Sequence, residues 1–217
     1  MSTTLRIDVW SDIACPWCYV GKRRLEAALS GLAEGDSVEV HWRAFELDPE
    51  AARILEPHVP YAERLARKYA TSLDQAEEMI RNMTRTAAAE GLDFHFESIR
   101  PGNTFDAHRV LHFAAERGRG EAARERIFRA YMSEGRAIGD QEVLATLAGQ
   151  AELDAGEVRA LLATDAYASE VRADESEAAA KGIHGVPHFR IGSQALSGAQ
   201  PAELLLAAMR QASNDSM

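Results

Sequence analysis

Two cysteines, Cys15 and Cys18, are the residues of this chain whose type and spacing most clearly suggest chemistry. They are the only cysteines among 217 residues, and they enclose a proline and a tryptophan in the segment Cys15-Pro16-Trp17-Cys18. If a helix begins here, the two thiols lie one turn apart on one face and can form a disulfide. Pro16 then occupies the first turn, where its missing N–H costs nothing. The spacing therefore predicts a dithiol pair.

The two thiols are predicted to have different roles. The unpaired amides and the dipole at a helix N-terminus favour a thiolate at Cys15, which makes it the nucleophile and Cys18, one turn inward and sheltered, the resolving residue. A disulfide across so short a loop would constrain the unfolded chain little, which favours redox chemistry over a structural crosslink.

Two other interpretations of the cysteines remain open. They could be buried free thiols, or zinc ligands together with His184 and His188, which add an H-x3-H spacing. Most of the chain separates the two pairs and Pro187 interrupts the second, whereas zinc fingers keep such pairs about a dozen residues apart. We therefore predict no metal.

The residues around the cysteines predict the elements that position them. Leu5, Ile7 and Val9 alternate with polar residues as in a half-buried strand, a helical pattern covers residues 15–33, and residues 38–44 alternate again. Strand, helix and strand in this order form a right-handed βαβ unit with parallel strands. Such units bind ligands at the carboxyl ends of their strands, which is where the cysteines fall.

The remainder of the chain is predicted to be mostly helical. Residues 49–163 contain a series of helical patterns separated by glycines, with Ser72, Asn103 and Asp140 as expected N-terminal caps. A further helix precedes a Val-Pro step, a short hairpin follows near residues 188–196, and a last amphipathic helix begins at Pro201. We therefore divide the chain into residues 1–48, an all-helical insertion over 49–163, and residues 164–217.

Several motifs in this order resemble the DsbA family of thioredoxin-like proteins, and within it the FrnE-like branch. The match covers nearly the whole chain and rests on these segments: Trp10-Ser11-Asp12, Cys15-Pro16-Trp17-Cys18-Tyr19-Val20-Gly21-Lys22-Arg23, Phe45-Glu46-Leu47, Asn103-Thr104-Phe105-Asp106-Ala107-His108-Arg109, Gly185-Val186-Pro187 and Ser197-Gly198-Ala199-Gln200. The resemblance implies an α/β protein with the thioredoxin fold, βαβ followed by ββα, and a large all-helical insertion.

The resemblance also implies an activity. We expect a thiol–disulfide oxidoreductase or isomerase that acts on substrate proteins or small thiols and disulfides, with no bound cofactor and with glutathione as an optional co-substrate. It implies a cis peptide bond before Pro187 beside the cysteines, with Val186 and Pro187 bounding the substrate groove. A neighbouring branch, the glutathione-dependent 2-hydroxychromene-2-carboxylate isomerases and kappa-class glutathione transferases, is the enzymatic alternative. A non-catalytic chaperone or binding module is the other alternative.

Other residues are candidates for the same site. Asp12 could take part in proton transfer, but capping of the turn before the helix is the favoured role. Trp17 brings no charge to the thiols, so it does not predict the redox potential. His188 stands where the family resemblance leads us to expect an aromatic residue, and it could be a titratable donor or point away. Asn103 and His108 belong to a family motif that could line the groove, although a helix start is their default role.

Composition excludes some classes of partner. The formal charge is −10, with 34 acidic and 24 basic residues, which disfavours binding to nucleic acid or to anionic membranes. The chain shows neither a signal sequence nor an apolar segment of the roughly 20 residues that a membrane-spanning helix needs. We therefore expect a cytoplasmic protein that is a monomer or a homodimer.

Overall fold

The computed structural model describes residues 4–33, 37–54 and 59–215. The chain divides into two compact units. The first, here called the sheet unit, comprises Met1–Leu47 and Arg172–Met217, and the second, the helical unit, comprises Asp48–Val171.

The sheet unit contains the four strands of the described residues. Strands β1 and β2 are parallel, β3 is antiparallel to β1, and β4 is antiparallel to β3, which gives the order β2-β1-β3-β4. The predicted βαβ and ββα halves are thus both present. The elements are β1 (Leu5–Ser11), α1 (Pro16–Ser30), β2 (Val38–Ala44), β3 (His188–Ile191), β4 (Gln194–Ser197) and α9 (Ala202–Asp215).

One face of this sheet forms the apolar core. Alternation along the strands directs every second side chain to the same face. Ile7 and Val9 of β1 and Phe189 of β3 are fully buried there, in a cluster that also contains residues of α1 and α9 such as Leu25 and Met209. Burial of these side chains fixes the register of β1, because a slip of one residue would expose all of them.

The opposite face of the sheet combines a small apolar cluster around Trp10 with buried polar pairs. The Arg43 guanidinium pairs with Asp8 and with Asp174, each at 3.0 Å. Asp174 is buried and also accepts the Ala44 N–H at 2.9 Å, and the indole of Trp10 donates to the Asp174 carbonyl oxygen at 3.0 Å. These bonds satisfy a buried carboxylate and a buried indole at once.

The helical unit is held together partly by one buried arginine. It contains α2 (Tyr61–Tyr69), α3 (Leu73–Ala89), α4 (Phe105–Glu116), α5 (Gly120–Met132), α6 (Gln141–Gln150) and α7 (Ala155–Leu162), and α8 (Ala168–Ala180) begins in it. Arg109 of α4 donates to the carboxylate of Asp106 at 2.8 Å and to the carbonyl oxygens of Leu161, Thr164 and Ala166. These bonds connect α4 to residues 161–166, within the helical unit, which extends to Val171.

The predicted helix caps are correct with one exception. Ser72 forms a reciprocal capping box with Gln75, and Asp140 caps α6. The N-cap of α4 is Thr104 rather than Asn103. Asn103 instead supports the turn before that helix, because its side-chain oxygen accepts the Phe105 N–H at 2.8 Å.

No helix in the described part of the chain has both the length and the apolar character needed to cross a membrane.

Candidate active site

The turn after β1 carries Asp12, whose carboxylate is buried and connects two backbone segments. One oxygen accepts the Ala14 N–H at 3.2 Å, and the other accepts the Leu47 N–H at 2.8 Å, beyond the end of β2. The Cys15 N–H donates to the Asp12 carbonyl oxygen at 3.1 Å. Asp12 therefore has the turn-capping geometry expected from its position, and it fixes the path of the chain into α1.

Helix α1 begins at the cysteines, as the spacing predicts. Cys15 is the N-cap residue and Pro16 occupies the first helical position. The Cys18 N–H donates to the Cys15 carbonyl oxygen at 3.0 Å, which closes the first turn between the two cysteines. Both are free thiols in this structure. The arrangement places Cys15 at the start of α1, beside the first amides of the helix, which have no partner within it.

The two thiols differ less in exposure than the sequence suggests. Cys15 retains 5% of its accessible surface and Cys18 retains none. Trp17 between them is 38% exposed. Cys15 is therefore the more accessible of the two residues, although both are buried.

Burial sets the acidity of the inner thiol. It raises the pKa of Cys18 well above the ordinary cysteine value, and the neighbouring Cys15 sulfur raises this pKa further. The Asp12 backbone N–H and the Ser11 hydroxyl lower the same pKa, but by less. The Asp12 N–H lies 3.5 Å from the Cys18 sulfur. Cys18 is therefore a protonated thiol near neutral pH.

The loop before β3 closes the site on the other side of Cys15. The Val186–Pro187 peptide bond is cis, as predicted. The Cys15 thiol donates to the Val186 carbonyl oxygen at 3.5 Å. Pro187 also lies against α1, since a methyl group added at Gly21 would stand 3.0 Å from its ring. A glycine in α1 thus permits the close approach between the helix and this loop.

His188 lies on the sheet face opposite α1. Its ring stands edge-on to Trp10, with 6.2 Å between the ring centroids, and its Nδ1 is 3.0 Å from the Ser197 hydroxyl. Burial and then the positive charge of Arg190 lower the pKa of His188. The residue therefore packs away from the helix that carries the thiols.

Asn103 and His108 both lie in the helical unit. Asn103 supports the turn before α4, and His108 is buried within that helix. Among the described ranges, no three side chains of histidine, cysteine, aspartate or glutamate lie close enough together to bind a metal ion.

Ser11, a residue that the sequence analysis did not single out, also reaches the site. It is the last residue of β1 and is buried, and its hydroxyl affects the acidity of Cys18. The strand alternation contains the signal for it: Ser11 continues the inward series of Ile7 and Val9, and the helix after β1 packs on that face.

Comparisons with known proteins match nearly the whole length of this chain. A sequence model of the DSBA-like thioredoxin domain family matches residues 6–210. The uncharacterised protein YwbO of Bacillus subtilis is 31% identical over 198 residues, which cover 90% of this chain and 91% of that protein. The crystal structure of a probable DsbA oxidoreductase from Streptomyces coelicolor is 47% identical, with a TM-score of 0.90, over 97% of this chain and 91% of that chain.

More distant structures share the fold. A 2-hydroxychromene-2-carboxylate isomerase is 14% identical with a TM-score of 0.66, over 97% of both chains. The cytosolic disulfide reductase DsbM of Pseudomonas aeruginosa is 19% identical with a TM-score of 0.58, over 98% of this chain and 97% of that chain. Another structure of DsbM contains GSH.

Proposed function

The chain belongs to the DSBA-like thioredoxin domain family, and from this premise we propose that it is a thiol–disulfide oxidoreductase with Cys15 as the attacking and Cys18 as the resolving residue. One observation carries the proposal. Cys15 caps the helix on which Cys18 lies one turn further, and its sulfur is 3.5 Å from the carbonyl oxygen of Val186, the residue before the cis proline.

The reaction follows from the two positions. The Cys15 thiolate attacks one sulfur of a substrate disulfide, the substrate S–S bond breaks, and one substrate thiolate leaves with Cys15 held in a mixed disulfide. The Cys18 sulfur then loses its proton to solvent and attacks the Cys15 sulfur. The second substrate thiolate leaves as the Cys15–Cys18 bond forms. The substrate gains two electrons and two protons, and the protein dithiol loses them. The reverse sequence oxidises a substrate dithiol.

Substrate proteins and small thiols or disulfides are the proposed partners, because the site needs only a reachable sulfur. Trp17 and Val186 bound the approach to Cys15: Trp17 offers an exposed ring, and the backbone of the half-buried Val186 can hydrogen-bond an extended peptide. Glutathione is included as a co-substrate because the related fold of DsbM is known with GSH. DsbM is cytosolic, which supports the same compartment for this chain.

The 2-hydroxychromene-2-carboxylate isomerase branch and a non-catalytic binding module remain as outcomes of the test. Both cysteines are present at the helix start, and an isomerase site of that branch does not require the pair. At 14% identity, the likeness to the isomerase supports a shared fold only. It gives no reason to prefer isomerisation to disulfide exchange as the reaction.

Turnover assays with single-cysteine variants test the proposal. We expect the wild type to catalyse reduction of insulin disulfides and reactivation of a scrambled disulfide protein. Cys15→Ser should abolish both activities, because no attacking sulfur remains at the helix start. Cys18→Ser should accumulate a mixed disulfide with the substrate that mass spectrometry detects, because the second step is missing.

Three results would contradict the proposal. Full activity in both variants would remove the cysteines from the reaction. Glutathione-dependent isomerisation of 2-hydroxychromene-2-carboxylate without disulfide turnover would favour the neighbouring branch. Suppression of aggregation of an unfolded protein without any turnover would favour a binding module. Reduced glutathione as the electron donor, compared with dithiothreitol, tests the co-substrate separately.

A further inference from the structure

The Ser11 hydroxyl is a buried polar group that the reaction described above does not use. Ser11 is 2% exposed, and its hydroxyl oxygen has no hydrogen-bond partner among the described residues. A buried hydroxyl without a partner costs about 1 to 3 kcal/mol. Such a group therefore requires an explanation, and a reacting atom that changes charge beside it would supply one.

The direction of the Ser11 side chain follows from the strand. Residues 7, 9 and 11 of β1 share one face, and Ile7 and Val9 pack in the core cluster together with Leu25 of α1. Cys18 precedes Leu25 by seven residues, which is two turns along the same side of the helix. The end of β1 and the first turn of α1 therefore direct Ser11 and Cys18 towards each other.

The adjacent backbone confirms where the Cys18 sulfur lies. The Asp12 N–H, one residue after Ser11, is 3.5 Å from this sulfur. Ser11 also lowers the pKa of Cys18, which is the direction expected of a hydroxyl that can donate to the thiolate. Of the titratable groups on α1, Cys15 acts on Cys18 directly, whereas the buried Lys22 pairs with Glu26.

We propose that the Ser11 hydroxyl donates a hydrogen bond to the Cys18 sulfur when that sulfur becomes a thiolate, and so accelerates the second step of disulfide exchange. This inference rests on the proposed function. In the reducing direction, Cys18 loses its proton to solvent, its thiolate attacks the Cys15 sulfur, the bond from Cys15 to the substrate breaks, and the departing substrate thiolate takes a proton from solvent. In the oxidising direction, the same hydroxyl stabilises Cys18 as the leaving thiolate.

Formation of the mixed disulfide and its conversion to the internal disulfide can be separated by quenched-flow kinetics. Reduced protein is mixed with oxidised glutathione, and quenched samples are analysed by mass spectrometry for the mixed disulfide and for the internal disulfide. For Ser11→Ala we expect formation of the mixed disulfide at the wild-type rate. Its conversion to the internal disulfide at pH 7 should be about tenfold slower, as for the loss of one hydrogen bond to a charged group. The pH–rate profile of this conversion should move to more alkaline pH.

Two further variants make the outcome specific. Ser197→Ala removes a hydroxyl from the opposite face of the sheet, where it contacts His188, and should leave both rates unchanged. Ser11→Thr retains the hydroxyl and should convert the mixed disulfide at close to the wild-type rate. Circular dichroism and the urea midpoint confirm that each variant is folded.

An unchanged conversion rate and pH profile in folded Ser11→Ala would overturn the assignment of Ser11. In that case the wild type would still form and resolve the mixed disulfide, so the proposed function would stand. Failure of the wild type to form any mixed disulfide at Cys15 would instead overturn the proposed function.

Discussion

Asp12 shows how one side chain can set the geometry of a reactive turn. Its two carboxylate oxygens accept backbone N–H groups from Ala14 and Leu47, at 3.2 and 2.8 Å. The first bond shapes the turn that delivers Cys15, and the second ties this turn to the segment after β2. Because the carboxylate is 1% exposed, water cannot readily replace either bond.

Replacement of Asp12 should therefore reduce stability. For Asp12→Ala we expect the free energy of unfolding to fall by about 2 kcal/mol or more, because two partly buried N–H groups lose their acceptor. Asp12→Asn retains one acceptor oxygen and should lose about half as much. Urea unfolding of the reduced proteins measures both values.

The same pair of variants tests the competing role of Asp12 in proton transfer. If Asp12→Asn converted the mixed disulfide to the internal disulfide far more slowly than its loss of stability explains, the carboxylate would be acting on the Cys18 proton. A loss of activity in proportion to the loss of stability would match the turn-capping role.

Residue identities predicted some of the site and missed other parts for physical reasons. The role of Pro16 at the helix start follows from its own chemistry, and the cis bond before Pro187 was expected from the family resemblance. The orientation of His188 could not be read from its type, because it depends on the register that pairs it with Trp10. Ser11 was missed because a serine in a strand is unremarkable until the helix residue that packs over it, Cys18, is known.

The contact between α1 and the Val186–Pro187 loop belongs to the scale of elements. It requires a residue without a side chain at position 21, because an added Cβ would lie 3.0 Å from the Pro187 ring and 3.3 Å from the Phe189 ring. Distances of this kind are tighter than ordinary van der Waals contact, and neither ring can bend.

Gly21→Ala should therefore displace the proline loop by a few tenths of an ångström. We expect disulfide exchange to slow by about fivefold, because small displacements of reacting groups have large effects on rate. In stability, the clash should offset the gain of roughly 0.5 to 1 kcal/mol that alanine brings to a helix interior. Insulin reduction and urea unfolding measure the two effects.

Gly149→Ala is the matched control. This glycine lies in α6, and its added Cβ would be 3.7 Å from the nearest atom, a normal contact. The full gain in stability is expected there, with unchanged exchange kinetics. Equal changes in unfolding free energy and in exchange rate for the two variants would show that the Val186–Pro187 loop does not make a close contact with α1 at Gly21.

Elements were easier to predict than their boundaries. The alternating runs and the helical patterns identified β1, α1, β2 and the hairpin, because each has a buried face that leaves a period in the sequence. Long-range bonds leave no such period: Arg109 binds carbonyl groups of residues 161–166 across more than fifty residues. No local pattern encodes such a long-range bond.

At the scale of the whole molecule, the acidity of one buried thiol is linked to folding. Burial and the Cys15 sulfur raise the pKa of Cys18 well above its ordinary value, while an unfolded chain leaves this thiol near about 8.5. Below that pH the thiol is protonated in both states and the linkage has no effect. Above it, the unfolded chain loses the proton while the folded protein keeps it, so the unfolded state is favoured.

The reduced protein should therefore lose stability as pH rises above about 8.5, by about 1.4 kcal/mol for each pH unit until the folded-state pKa is reached. Urea unfolding of the reduced wild type and of reduced Cys18→Ala at several pH values isolates the contribution of the Cys18 thiol to the unfolding free energy. The other titrating groups are common to both proteins. The difference between the two should change with pH by this slope. Parallel curves from pH 8 to 10 would contradict the assigned pKa direction.

The same measurements extend to the redox potential, which the tryptophan between the cysteines does not predict. Unfolding and disulfide reduction form a thermodynamic cycle. The difference in unfolding free energy between the disulfide and dithiol forms therefore equals the difference between the folded and unfolded protein in the free energy of reducing the disulfide. Each 1.4 kcal/mol of that difference corresponds to about 30 mV. Because the disulfide form has no Cys18 proton to retain, it should escape the alkaline loss, and folding should favour the disulfide increasingly as pH rises. Parallel unfolding of the two forms across this pH range would show that the buried thiol does not control the potential.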